Sequence, residues 1–247
     1  MKRARKAKDP GDGKGLSRIQ EKNRRRINAA ALSQFAQYGY SGTTIDMIAG
    51  AAGMSKSNLL YYYASKATIY QSVLSYILDE WLAPLRGMNP DGEPGAELAA
   101  YIHHKIKMSS EFPQASKLFA NEVMQGAPRI KRVLEVELKQ LVDQKAAVIQ
   151  GWVDSGKIDP IDPVHLIFTI WGMTQHYADF DTQVRALTGK SIENKRFCAD
   201  AEAMVTHLVL KGIGLTPPQE LSPPKDQTPS QHPSERKERS SAAELTS

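Results

Sequence analysis

Within residues 43–63, TTIDMIAGAAGMSKSNLLYYY, polar side chains recur at spacings suited to reading a nucleic acid. If a helix starts near Lys56 and turns 100° per residue, Ser57, Asn58, Tyr61 and Tyr62 face outward, while Leu59, Leu60 and Tyr63 face inward. The Asn58 amide can donate to and accept from one adenine edge, which makes it the foremost base reader. Ser57 can serve either kind of base. Tyr61 and Tyr62 suit phosphates or a thymine methyl. Ser55 caps this helix and borders the same face, and the long Lys56 stem can swing to a phosphate. Thr44 opens the preceding helix, where a hydroxyl and unpaired N–H groups form an anion site. Lys66, in the first turn of the next helix, is a further phosphate candidate.

A second constellation suits a small planar ligand. Ile167, Trp171, Gln175 and Ala178 share one helix face, and Leu166, Ile170, Met173 and Tyr177 share another. A helix apolar on two sides is buried on two sides. Gln175 is the polar exception, and a buried carboxamide needs partners. Trp81 can lie against a ring and offer its indole N–H. Trp171, Phe119, Asn121 and Tyr177 complete the candidate effector set. Catalysis has little support. His103 and His104 are adjacent and diverge on a helix. His165, His176 and Asp179 have no serine or cysteine nucleophile at matching spacing. No metal site and no cofactor are expected.

Strand signals are nearly absent, so the chain reads as all-α, with helices expected over residues 21–38, 65–84, 94–110, 113–125, 128–155, 163–180 and 192–211, besides the two short ones of the polar segment. Ile45, Ile48, Ala49 and Ala52 form the inner face of the first short helix, and Gly53 breaks it. Ser65 caps the long connecting helix, and Pro84 is expected to limit it. The domain reading is a basic disordered arm (1–20), a three-helix DNA-binding head built on a helix-turn-helix (21–64), a larger helical ligand-binding and dimerisation domain (65–215), and a disordered tail (216–247). That tail holds six of the fourteen prolines and no Phe, Trp or Tyr.

The net charge of +5 is unevenly spread. Residues 1–30 carry eleven Lys/Arg against three Asp/Glu, so the rest of the chain is net acidic. The basic stretch beside the polar segment suits DNA phosphates or a minor groove. The single cysteine, Cys198, excludes an intrachain disulfide and fits a reducing cytoplasm. No apolar run is long enough to span a membrane, and the basic N-terminus lacks the apolar core of a secretory signal.

The segment FAQYGYSGTTIDMIAGAAGMSKSNLLYYYASKATIY, residues 35–70, resembles the DNA-binding head of the TetR family of one-component repressors. The likeness lies in the aromatic-Gly-aromatic approach to Gly-Thr-Thr, the Ile-Ala…Gly-Met-Ser turn and the Leu-Tyr-Tyr-Tyr…Ser-Lys exit. Ala64 stands where many members carry proline. The resemblance implies an all-α effector domain that dimerises through the last two long helices, here about 163–180 and 192–211. It also implies a homodimer on a near-palindromic double-stranded operator. Four further stretches, LDEWLAPLR (78–86), EFPQASKLFANEVMQGAP (111–128), IQGWVDSGKIDPIDPVHLIF (149–168) and WGMTQHYADFDTQV (171–184), resemble members that govern pyrimidine utilisation. Those imply uracil or thymine as the effector that releases DNA, with control of pyrimidine degradation and connected nitrogen metabolism. Two other readings stand beside this one: a repressor of the same fold sensing a larger apolar compound, and an architectural DNA binder that senses nothing.

Overall fold

The computed structural model describes residues 18–217, and among these there are helices and no strand. Most of the basic arm and nearly all of the proline-rich tail therefore lie outside the described residues. Helix α1 (Arg18–Gly42) begins three residues before the expected start, so residues 18–20 belong to the head. Its regular course ends at Gly39, whose φ of 68° is open to glycine and strained for other residues. The buried Thr43 hydroxyl donates to the carbonyls of Gln34 and Gly39, covering groups the helix end leaves unpaired.

Three short-range caps fix the next elements. Thr44 caps α2 (Ile45–Ala51), Ser55 caps α3 (Lys56–Tyr62), and Ser65 forms a full capping box with Thr68 at the start of α4 (Lys66–Gly87). Helix α4 runs through Pro84 instead of stopping there. The missing Pro84 N–H leaves the Glu80 carbonyl without its helical donor. A ring nitrogen of His104, on α5 (Pro94–Glu111), lies 3.2 Å from that oxygen and takes the vacant role.

Helix α6 (Pro113–Met124) follows, and then a turn where a helix from residue 128 is expected. Helical structure resumes only at α7 (Lys131–Val133). It passes through a π-helical turn (Leu134–Leu138) into α8 (Lys139–Asp154). Helix α9 (Pro163–Asp179) is capped by Asp162. A short α10 (Asp181–Thr188), unanticipated from the sequence because it buries only Val184, precedes α11 (Lys195–Gly212).

Two apolar cores result. One joins α1–α3, the head-proximal two-thirds of α4 as far as Trp81, and Ala115, Leu118, Ala127 and Ile130 from α6 and the turn after it. The other joins the far end of α4 to α5, α8, α9 and α11. The head core thus continues past residue 64 into the connecting helix and α6. Phe119 and Leu134 pack against both cores. No described helix is long and apolar enough to cross a membrane.

Candidate nucleic-acid interface and effector cleft

The head presents a narrower polar face than residue angles alone suggest. Ser57, Asn58 and Tyr61 are exposed, Tyr61 by 71%. Tyr63 is buried, and its phenol donates to Asn28 Oδ1 at 2.9 Å, as an inward residue should. Leu60, expected to pack beside it, is instead 38% exposed at the helix edge. Lys56 lies at the surface and pairs with Asp46 across the turn at 2.8 Å. Thr44 and Ser55 accept from Met47 N and Asn58 N, so both hydroxyls serve first as caps.

Two expected DNA contacts are already engaged within the head. The Tyr62 phenol is half-buried and accepts from Asn23 Nδ2 of α1 at 2.7 Å, which ties α3 to α1. The Lys66 ammonium turns inward. It donates to the Tyr40 and Thr43 carbonyls, each at 2.9 Å, and lies 4.5 Å from the Tyr40 ring centre. A side chain so committed clamps the end of α1 and is poorly placed to meet a phosphate.

In the larger domain, four of the six expected effector residues converge. Phe119, Trp171 and Gln175 line a cleft of about 580 Å³ with Ala120, Val123 and Met124 of α6 and Leu134 and Leu138 of the π turn. Trp81 backs it, its ring 5.3 Å from Phe119 in an edge-on contact. Trp81 is 3% exposed, and its indole nitrogen has no hydrogen-bond partner among the described residues. Buried polar groups are normally paired, so an orphaned donor beside a cleft asks for an acceptor.

Two residues leave the set. Asn121 is exposed on the other side of α6, in a groove shared with Tyr38 and Tyr40 of the head. Tyr177 points toward α11, edge-on to Phe197 at 5.9 Å. Both share a helix with true lining residues but sit at the wrong angle.

Sequence reading missed Lys105. It lies on the buried face of α5 with Leu98, Tyr101, Ile102, Ile106 and Ser109, and that break in an apolar stripe was its available sign. Its ammonium is 4.7 Å from the Trp81 ring centre and donates to Gln175 Oε1 at 3.2 Å. Burial pushes its pKa down to about 7, against the attraction of Asp179. Burial pushes the Asp179 carboxyl up, opposed by a hydrogen bond from the Ser116 hydroxyl and by the Lys105 charge. The Trp171 indole N–H donates to the buried Tyr101 phenol, fixing that wall. The cleft therefore presents apolar side chains and the Gln175 carboxamide, and behind its wall lie the Trp81 indole, against Phe119, and the Lys105 ammonium, which donates to Gln175. No nucleophile with an adjacent base lines it. Among the described residues no His, Cys, Asp and Glu group could hold a metal ion.

Comparison with known proteins gives the family. Residues 27–73 match the family described as bacterial regulatory proteins, tetR family, and residues 74–216 match the YcdC-like protein, C-terminal region. The chain is 47% identical over 197 residues to the HTH-type transcriptional regulator RutR of Escherichia coli (strain K12), covering 80% of this chain and 93% of the relative. It is 27% identical over 176 residues to the HTH-type transcriptional repressor SCO4008 of Streptomyces coelicolor, covering 70% and 87%. The fatty acid degradation regulator FadR from Bacillus halodurans shares the fold at a TM-score of 0.59 and 18% identity, over 80% of this chain and 97% of that one. These relatives regulate transcription and are not enzymes. With its helix-turn-helix head and helical effector domain, the chain belongs to the TetR family of transcriptional regulators.

Proposed function

We propose that the chain is a homodimeric repressor released from its operator by a pyrimidine base, uracil or thymine, bound in the cleft beside Trp81. The observation that carries this reading is the buried Trp81 N–H, without a partner among the described residues, on a ring that meets the Lys105 ammonium bonded to the Gln175 carboxamide. A pyrimidine dione alternates C=O and N–H around its ring. Trp81, Lys105 and the Gln175 amide can donate to the carbonyls. The Gln175 oxygen or the Asp179 carboxylate can accept from the ring N–H. The aromatic walls of Phe119 and Trp171, with Trp81 behind Phe119, suit a flat ring. The likeness to regulators of pyrimidine utilisation points the same way.

Dimerisation through α9 and α11 is supported by Phe168, Met204 and Leu208, each about half exposed on these helices. Two heads are needed because one bidentate base contact supplies only about 1–3 kcal/mol of discrimination. A dimer reads two half-sites about 34–36 Å apart, or a multiple of that. Trp81 stands at the far end of α4, about 24 Å from its capped start at Ser65. A tilt of α4 on binding would change the head-to-head spacing. Moving DNA occupancy from nearly full to nearly empty requires roughly a 10⁴-fold preference of the effector for the non-binding state.

One observation favours a second reading: a cleft of about 580 Å³ is roomier than one pyrimidine ring needs and is largely apolar, which suits a larger apolar effector. Calorimetry of the full chain with uracil, thymine and a long-chain fatty acid separates the two. Saturable binding of a pyrimidine, abolished in Trp81→Ala, supports the proposal. Binding of the fatty acid alone overturns it.

A further inference from the structure

Helix α6 has two working faces. Phe119, Ala120, Val123 and Met124 line the effector cleft. Ala115 and Leu118 belong to the core of the DNA head. Glu122, on the head side, is 2% exposed. A carboxylate buried so deeply needs a cation and several donors.

Arg129 supplies the cation and a backbone N–H from the turn after α6, and the Tyr70 hydroxyl of α4 donates to the same carboxylate. The Arg129 backbone N–H donates to Glu122 Oε1 at 2.8 Å and its guanidinium to Oε2 at 3.3 Å. The guanidinium lies against the head, 3.7 Å from the Tyr40 ring centre and 5.3 Å from that of Tyr70. Gln71 of α4 donates to the Arg129 carbonyl at 3.4 Å. Lys66 also holds Tyr40, 4.5 Å from its ring centre and donating to its carbonyl. One residue thus touches α1, α4 and α6. The turn that presents it is strained: Ala127 has a φ of 52°, a left-handed conformation costly for a residue with a Cβ. The chain holds this backbone where it delivers Arg129 to Tyr40.

We propose that Arg129, held by Glu122, is the positioning residue that locks the DNA head to α6, so that the cleft wall and the head move as one piece. The consequence for induction rests on the effector reading above; the lock itself does not. A displacement of Phe119 and Val123 by a ligand then reaches Tyr40 directly, beside the route along α4. Arginine suits this role, because lysine keeps the charge but lacks a guanidinium broad enough to meet the Tyr40 ring and the Glu122 carboxylate at once.

The test uses the full-length protein and a DNA duplex selected by the wild-type chain from random sequence. In wild type, DNA binding should slow amide hydrogen exchange in residues 122–131, far from the DNA surface, because coupling between two sites is reciprocal. Arg129→Ala should abolish that protection and weaken duplex binding about tenfold, while the thermal melt of the body helices stays within a few degrees. Arg129→Lys should not rescue either effect. If Arg129→Ala prevents folding, the same exchange measurement on Glu122→Gln, which keeps the shape and removes the charge, decides the matter. DNA-dependent protection of residues 122–131 that persists in the folded variant overturns the proposal. Added uracil or thymine forms a separate arm: no effect on wild type defeats the pyrimidine reading and leaves the exchange result standing.

Discussion

The Lys105 ammonium lies 4.7 Å from the centre of the Trp81 ring, and neither side chain is more than 4% exposed. A cation buried on an aromatic face, with one carboxamide oxygen as its neutral partner, is poorly solvated. Such a group carries a folding cost. A ligand carbonyl would offset that cost, which supports the proposed effector site.

That cost has a measurable sign. The folded-state pKa of Lys105 falls from 10.5 to about 7, so between these values the unfolded chain binds the proton that the folded chain releases. Stability from this group therefore rises with pH from about 7 toward 10.5, and the full penalty is felt below about 7. Lys105→Met should remove that slope and stabilise the protein by about 1–3 kcal/mol at neutral pH. Urea unfolding at several values between about pH 6 and 10 measures it. The same variant should respond to a pyrimidine far more weakly than wild type.

On the DNA face, Asn58→Ala should cost about 1–3 kcal/mol of operator affinity and erase preference at one base position per half-site. Tyr62→Phe should behave differently. Its phenol is engaged by Asn23, so the change should lower head stability by about 0.5–1.5 kcal/mol and leave base preference intact. Competition binding with single-base operator variants, beside chemical denaturation, distinguishes the two.

Residues 1–17 hold six Lys/Arg and two Asp. If this stretch meets phosphates, deleting it should reduce the dependence of log affinity on log salt by about 0.9 for each phosphate that the arm neutralises, with base preference unchanged. A salt titration of operator binding by the full-length and shortened chains gives the number directly. An unchanged slope would remove the arm from the interface.

Much of the architecture was legible because local chemistry sets its boundaries. Thr44, Ser55 and Ser65 announce three helix starts, and Gly39 announces a stop, through hydrogen bonds and backbone freedom confined to neighbouring residues. Errors arose where a distant partner decides. Pro84 should end α4, but His104 from another helix compensates the freed Glu80 carbonyl. Lys66 looks like a surface cation until two carbonyls at the end of α1 claim it. Asn121 and Tyr177 share helices with cleft residues and miss the cleft by rotation alone, which a helix start uncertain by a residue or two cannot resolve. Lys105 was visible as a charge within an apolar stripe, yet only the packing of α5 against α4 and α9 shows what it faces.

Control of the DNA head by the cleft beside Trp81 is the core of the proposed mechanism, and Gln175→Ala probes it without touching the head. Operator binding should be followed by fluorescence anisotropy while uracil or thymine is titrated into wild type and variant. Without effector, both proteins should bind the operator with equal affinity. With effector, wild type should release the operator, whereas the variant should need at least about tenfold more pyrimidine, as expected when a buried ligand is deprived of one hydrogen-bond partner. Release of the Gln175→Ala protein at the wild-type concentration would contradict control through this cleft.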